Sequence, residues 1–409
     1  MLGFIMFVKG FAEGGEDIMI KTIRVMLLPN NKQKTKLFQY AGAARFAYNW
    51  ALGREQENYK NSGKFIPDSS LRKEFTQLKK TEGYAWLNKI SNNVARQAIK
   101  DACDAYKKFF KGLAKFPRFK SRKHSPPAFY QDNIKIQFTG THVKVEGFAV
   151  SKKKNKQKLN WIRLAEHGRI PVGGMKYYNP RIKFDGLDWY ITVGAEYKDI
   201  AVLPPDEGIG IDLGIKELAV CSDRNKYKNI NKTKKVKKLE KRKRRLQRSV
   251  SRKYEKNKKG GSYCKTGNII KSEKKLLKLN HKLTDIRKNH LHQATSGIIK
   301  RKPSFIVLED LNVSGMMKNR HLSKAVQQQC FWEFRRQVEY KSVWNNITVI
   351  IADRFFPSSK LCSSCGNIKK DLKLSDRIYK CGCGNVIDRD YQAALNLKAY
   401  GENVLKPVP

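Results

Sequence analysis

Gly208-Ile-Gly-Ile-Asp-Leu-Gly214 is an apolar run that stops on a carboxylate. Its character predicts a strand over Ile209–Asp212, joined by the tight Leu213-Gly-Ile215 to a second strand over Glu217–Ser222. Gly210 and Gly214 would leave room for a phosphate backbone to approach the strand end. Phe305-Ile-Val-Leu-Glu309 repeats the pattern, an apolar strand ending on an acid. Asp390 opens Asp390-Tyr-Gln-Ala-Ala-Leu-Asn396, a helix start. Each acid taken alone has a plain structural reading: a turn cap for Asp212, an exposed strand end for Glu309, which is followed by Asp310. Together they form a set. The third position has two candidates, Asp388 and Asp390, and the helix start favours Asp390. Three gathered carboxylates repel, each disfavouring its neighbour's ionised form. Two divalent ions about 4 Å apart would relieve that repulsion and activate a water, and magnesium suits hard oxygen ligands best.

The acids stand out because the chain is basic, with 85 Lys and Arg against 36 Asp and Glu, a formal net charge of +49. Such a charge predicts salt-sensitive binding to a polyanion. Nucleic acid is favoured over an anionic membrane, because no apolar stretch reaches the roughly 20 residues that span a bilayer. The 409 residues allow two to four domains, and 40% hydrophobic content excludes global disorder. Met1–Val8 is apolar but lacks a basic flank and a cleavage site, so the folded part is expected to begin near Met19, after an extension over 1–18 expected to be disordered. No export signal is legible, which points to a prokaryotic cytoplasm and association with the nucleoid. In that reducing setting the eight cysteines imply metal binding or free thiols.

Along the chain the period changes three times. Residues 19–28 alternate like a strand. From 32 to 124 the pattern is helical, with a stripe of Leu37, Tyr40, Ala41, Ala44, Phe46 and Tyr48 and a second helix from Asn92 through Phe109. Residues 133–196 alternate again, at Ile134/Ile136/Phe138, Val143/Val145 and Trp189/Ile191/Val193. The helices therefore read as an insertion into a β-domain. Beyond Ile209 the pattern is α/β, with a helical stretch over 232–302 broken at Lys259-Gly-Gly-Ser262, a helix over Val326–Trp344 and a strand over Ile347–Ile351.

Cys362-x2-Cys365-x15-Cys381-x-Cys383 offers four thiolates in two close pairs, suited to one tetrahedral zinc. Gly366 and Gly384 follow the pairs where a knuckle turn needs positive φ. The tract from Lys234 to Arg248 is a charge run with an apolar seam of Val236, Leu239 and Leu246. It reads as a docked helix whose Lys241, Arg242, Arg244 and Arg245 neutralise phosphates without reading sequence. Asn92, Asn93 and Arg96 share a polar helix face. They could be a solvated helix start or could read base edges of a short motif.

Gly210-Ile-Asp-Leu-Gly-Ile-Lys216, Leu308-Glu-Asp-Leu311, Phe356-Pro-Ser-Ser-Lys-Leu-Cys-Ser-Ser-Cys-Gly366 and Cys381-x-Cys-Gly-x3-Asp-Arg-Asp-x2-Ala-Ala394 resemble TnpB. This is the family of RNA-guided nucleases of insertion sequences, related to type V CRISPR effectors. Gly42-Ala-Ala-Arg-Phe-Ala-Tyr-Asn49 and Gln337-Val-Glu-Tyr-Lys341 share the likeness, which spans nearly everything after Met19. The resemblance implies a multi-domain α+β protein. Its β-barrel wedge domain would cover 19–31 and 125–205 around a helical recognition domain at 32–124. An RNase H-like (RuvC) α/β domain would cover 206–361 and 388–409, with a zinc-ribbon-like insertion at 362–387. It implies an RNA-guided DNA endonuclease of transposon origin that takes a guide RNA and a double-stranded DNA target. Asp212 would bridge two Mg2+ ions, with Glu309 and Asp390 each completing one site. A compact type V effector would share every motif, and a non-cleaving regulator of transposition is the reading from another class. Two departures from the family pattern are Gln392, where Asn is usual, and the Cys-x-Cys pair.

Overall fold

The computed structural model describes residues 10–11, 17–62, 65–148, 159–198, 207–373 and 375–406. The chain forms two compact units, residues 1–199 and 200–409.

In the first unit β1 (Gly10–Phe11) pairs with β2 (Asp17–Leu28), so strand structure begins before the expected Met19. The expectation for residues 1–9 and 12–16 lies outside the described residues. Helices α1 (Asn31–Ser62), α2 (Asp68–Leu78) and α3 (Asn92–Phe110) follow. Then come β3 (Ala128–Tyr130), β4 (Gln137–Phe138), β5 (His142–Lys144), β6 (Trp161–Leu164), β7 (Tyr177–Phe184) and β8 (Trp189–Lys198). The sheet order is β3-β7-β8-β2-β6-β5-β4, antiparallel throughout, with β1 on β2. No ladder joins β3 to β4 among the described residues. Because β2 precedes the helices but pairs with β8, the helices interrupt the sheet in sequence and not in space. Leu37, Tyr40, Ala41, Ala44, Ala47 and Leu52 on α1 share one core with Val94, Ala98, Ile99 and Ala102 on α3 and with Val25, Ile191 and Val193 of the sheet. Spacings of three and four residues put each helical set on one face. Ser91 starts α3 by accepting from the Asn93 amide at 3.3 Å. Ile134 is not in a strand. Asp132 Oδ1 accepts from the amides of Ile134 and Lys135 at 3.0 Å, a turn that leaves Ile134 86% exposed.

The second unit opens with β9 (Ile209–Leu213), β10 (Glu217–Cys221) and β11 (Lys226–Lys228). Helix α4 (Lys234–Lys256), the hairpin of β12 (Lys258–Lys259) and β13 (Ser262–Tyr263), and α5 (Gly267–Ile299) resolve the predicted break at the glycine pair. Next are β14 (Phe305–Glu309), α6 (Val313–Lys318), α7 (Ser323–Gln329), α8 (Phe331–Val343) and β15 (Thr348–Ala352). Last are β16 (Ile378–Lys380), β17 (Val386–Asp388) and α9 (Arg389–Leu405). The helix expected over Val326–Trp344 is two helices, because Cys330 takes φ 56° between α7 and α8. Gln329 there is buried and donates to the Gly214 carbonyl at 2.7 Å, a tertiary bond that a continuous helix would have to accommodate.

The main sheet runs β11-β10-β9-β14-β15, antiparallel as far as β9 and parallel from β9 to β15. One face, with Ile209, Ile211, Ile306 and Leu308, packs on Leu291 and Ile298 of α5 and on Phe334 and Val338 of α8. Helix α9 covers the other face, where Leu397 meets Phe305 and Val307. No described helix is long and apolar enough to cross a membrane.

Candidate functional site

Parallel pairing brings two of the acids together. Leu308 lies opposite Ile211, so one residue further on Glu309 comes level with Asp212 on the neighbouring strand, about 4.8 Å away between strand axes. With a period of two, Gly208, Gly210 and Asp212 share one face of β9, and Phe305, Val307 and Glu309 share the same face of β14. That is the face under α9. A Cβ added at Gly210 would sit 2.1 Å from the Ala394 carbonyl and 2.4 Å from the Lys398 amide, and one at Gly401 would sit 2.5 Å from Val307. Residues 390, 394, 397/398 and 401 follow helical spacing, so this face of α9 lies antiparallel along β9, with Asp390 toward the carboxylate end. Gly210 therefore makes room for a helix backbone. The expectation that it leaves space for a phosphate is corrected on that point.

The charges interact. Burial first, then the carboxylates of Glu309 and Asp390, raise the Asp212 pKa well above the usual range. Burial raises Glu309 as well, opposed by a hydrogen bond from Ser358 and aided by Asp390. Asp390 is faced by Arg389 Nη2 at 3.3 Å and Arg377 Nη1 at 4.0 Å. Asp388 has a separate job: its Oδ1 accepts from the Tyr391 amide at 3.0 Å and caps α9. Asp310 is held by Arg354 at 2.5 Å and Arg335 at 3.2 Å, which leaves Glu309 as the acid turned toward Asp212.

The four predicted cysteines converge. Their sulfur atoms all lie within 4.8 Å of one another, with Cys362–Cys383 at 3.7 Å and Cys365–Cys381 at 3.6 Å. Sulfurs about 2.3 Å from a tetrahedral zinc stand roughly 3.8 Å apart, so the set fits that ion. Gly366 and Gly384 take φ of 72° and 90°, as the knuckle turns require. Among the described residues no other group of three or more acidic, histidine or cysteine side chains is this tight. The three carboxylates are more open.

Lys241, Arg242, Arg244 and Arg245 are exposed on α4, while Val236 is buried and Glu240 pairs with Arg287 of α5 at 2.6 Å. Arg96 lies between two clefts. One, of about 460 Å³, is lined with Arg72, Lys79, Asn88 and Asn92; the other, of about 230 Å³, includes Asn93 and Lys100. Asn92 accepts from Lys79 Nζ, and Asn93 donates to Glu146 at 3.3 Å. Sequence reading missed Ser358, Asn396, Arg377 and Arg389. Ser358, Arg389 and Asn396 sat inside quoted motifs that could have flagged them, and Arg377 did not.

Three family models match in chain order: "Helix-turn-helix domain" at 19–64, "Probable transposase" at 192–320 and "Cas12f1-like, TNB domain" at 331–397. The chain is 28% identical over 403 residues to a protein named as the RNA-guided DNA endonuclease InsQ of Escherichia coli strain K12, covering 94% of this chain and 93% of that one. The chain resembles the TnpB family along most of its length. A Streptomyces pristinaespiralis relative, also named as an RNA-guided DNA endonuclease, is 29% identical over 385 residues, covering 93% of this chain and 89% of its own. The Cas12f1 chain of a solved complex with sgRNA and target DNA shares the fold at TM-score 0.58 and 14% identity, over 93% of this chain and 99% of that chain. Despite the first model's description, the described part of 19–64 holds β2 and the single long helix α1.

Proposed function

We propose that this protein is an RNA-guided DNA endonuclease, cutting target DNA beside a short flanking motif in an RNase H-like (RuvC) site built from Asp212, Glu309 and Asp390. The carrying observation is the convergence of these acids from β9, β14 and α9, with the pKa values of Asp212 and Glu309 raised by burial and mutual charge. A chain of net charge +49 has no structural use for such a concentration of negative charge. Asp212, Glu309 and Asp390 would hold divalent metal there, for which Mg2+ is the ion that suits hard carboxylate oxygens. Bound there, the ions supply a water nucleophile and shield the charge that develops on the phosphate. Ser358 orients the Glu309 carboxylate, and Arg389 and Arg377 hold Asp390 in place. The cysteine cluster takes one structural zinc in a zinc-ribbon-like insertion.

The first unit supplies the wedge-type β-domain and its helical recognition insert. There Asn92, Asn93 and Arg96 read the flanking motif, while Lys241, Arg242, Arg244 and Arg245 of α4 bind phosphates of the guide–target duplex. Sequence readout of the target is left to pairing with the guide RNA. The names of the InsQ-type relatives support this reading over a non-cleaving regulator of transposition. A compact type V effector would use the same site.

The test is to purify the protein with its own transcript region, sequence the RNA that travels with it, and assay plasmid cleavage in magnesium. Asp212→Asn is expected to keep the RNA and lose cleavage by at least about 10³-fold, roughly 4 kcal/mol in the barrier. Undiminished cutting by that variant would sink the assignment.

A further inference from the structure

The segment Ser358–Ser363 touches both metal-ligand sets. At one end Ser358 Oγ donates to the Glu309 carboxylate. At the other, Cys362 belongs to the thiol cluster. Between them, Asn396 Nδ2 donates to the carbonyls of Ser358 and Leu361 at 2.6 and 2.7 Å, and Gln392 Nε2 donates to Leu361 at 2.6 Å. Gln392 Oε1 accepts from Ser363 Oγ at 2.9 Å and Asn385 Nδ2 at 3.4 Å, and that same Asn385 amide reaches Cys362 Sγ at 3.4 Å. Gln392 and Asn396 are four apart on α9 and essentially inaccessible to solvent. A buried amide that loses its partners carries a penalty of about 1–3 kcal/mol. These two therefore hold the segment against the helix that also carries Asp390.

We propose that the thiol cluster and the acidic site bind their metals cooperatively, coupled through residues 358–363, with Gln392 and Asn396 as positioning residues. This rests on the reading of Asp212, Glu309 and Asp390 as a metal site. With zinc absent the knuckle at Cys362–Cys365 loses its anchor and Leu361 and Ser363 shift. The bonds to Asn396 and Gln392 loosen, and Ser358 no longer orients Glu309. By linkage the coupling is reciprocal: occupancy of the acidic site tightens zinc. Its expected size is that of outer-shell effects on metal affinity, about 10- to 100-fold.

Mn2+ is the probe, with free and bound ion read by electron paramagnetic resonance on the full chain. The protein is compared zinc-loaded and after a zinc-selective chelator has been added and dialysed away, with calorimetry reporting that the fold is kept. Stripping zinc is expected to weaken Mn2+ binding about tenfold or more. Ser358→Ala, zinc still bound, is expected to weaken Mn2+ similarly, and stripping should then add less than about twofold. In Gln392→Ala zinc should pass to a competing chelator more readily, and added Mn2+ should no longer slow that loss. Equal Mn2+ affinity with and without zinc, or a Ser358→Ala protein that matches wild type, overturns the coupling. If stripping zinc melts the chain, the reciprocal measurement decides: added Mn2+ that fails to slow the loss of zinc from the wild-type protein to a competing chelator overturns the coupling. Asp212→Asn combined with Asp390→Asn separates the two ideas: undiminished Mn2+ binding there would mean that the acidic metal site itself is misassigned.

Discussion

Gly210 is the residue on which the site's geometry turns. Its missing side chain lets α9 lie on β9, and that contact sets Asp390 over Asp212. In Gly210→Ala the new methyl meets backbone atoms that no rotamer can move. The variant should lose about 1–3 kcal/mol of stability and lose cleavage more steeply than nucleic-acid binding. Thermal melting and paired binding and cutting assays check both. The acids were legible from sequence because an apolar run that ends on a carboxylate is conspicuous in so basic a chain. The partner of Gly210 was not, since periodicity tells which residues share a face and not what covers it. Ser358 was hidden for a similar reason. A serine in a Ser-Ser pair carries no local sign that one hydroxyl is buried against Glu309. The sequence already leaned to Asp390 over Asp388 through the helix start, and Asp388 is occupied by the capping bond to Tyr391.

At the scale of elements, the join between α5 and α8 contains a buried cation. Lys341 Nζ donates to Thr295 Oγ1 at 2.6 Å, Ser296 Oγ at 2.8 Å and the His292 carbonyl at 3.1 Å, all neutral acceptors. Burial lowers its pKa from the usual 10.5 to about 8. Between those values the unfolded chain holds a proton that the folded chain has shed. Stability should therefore rise as pH increases across that window, and the charged lysine should weigh on the fold below it. Lys341→Met should remove this component, which melting curves from pH 7.5 to 10 for both proteins would reveal. The amphipathic helices α1 and α3 were readable because their cores repeat at helical spacing. The break at Cys330 was not, because the turn there accompanies a tertiary bond from Gln329 to Gly214 that leaves no trace in the periodicity. Ile134 also misled: its alternation with Ile136 and Phe138 matches a strand, but the Asp132 side chain takes the amides that a ladder would need.

Across the whole molecule, charge was the most legible property and sets the clearest expectation. Replacing Lys241, Arg242, Arg244 and Arg245 together by alanine should lower nucleic-acid affinity. It should also flatten the slope of log affinity against log salt by about three to four if all four contact phosphates. Titrations at several salt concentrations read that slope, and an unchanged one would place α4 away from nucleic acid. The shift of period near residue 209 falls close to the division between the two units, and the pairing of β2 with β8 accounts for a helical block lying inside a β pattern. The hairpin of β12 and β13 adds a different kind of consequence. It divides the chain between Asp212 on one side and both Glu309 and Asp390 on the other, while α4 and α5, which it joins, pack together. Opening the backbone at Gly260-Gly261 would give two fragments, neither holding a whole set of acids. Each would be inert by itself, and cutting would become a readout of their reunion, a molecular AND gate already drawn in the connectivity of the fold.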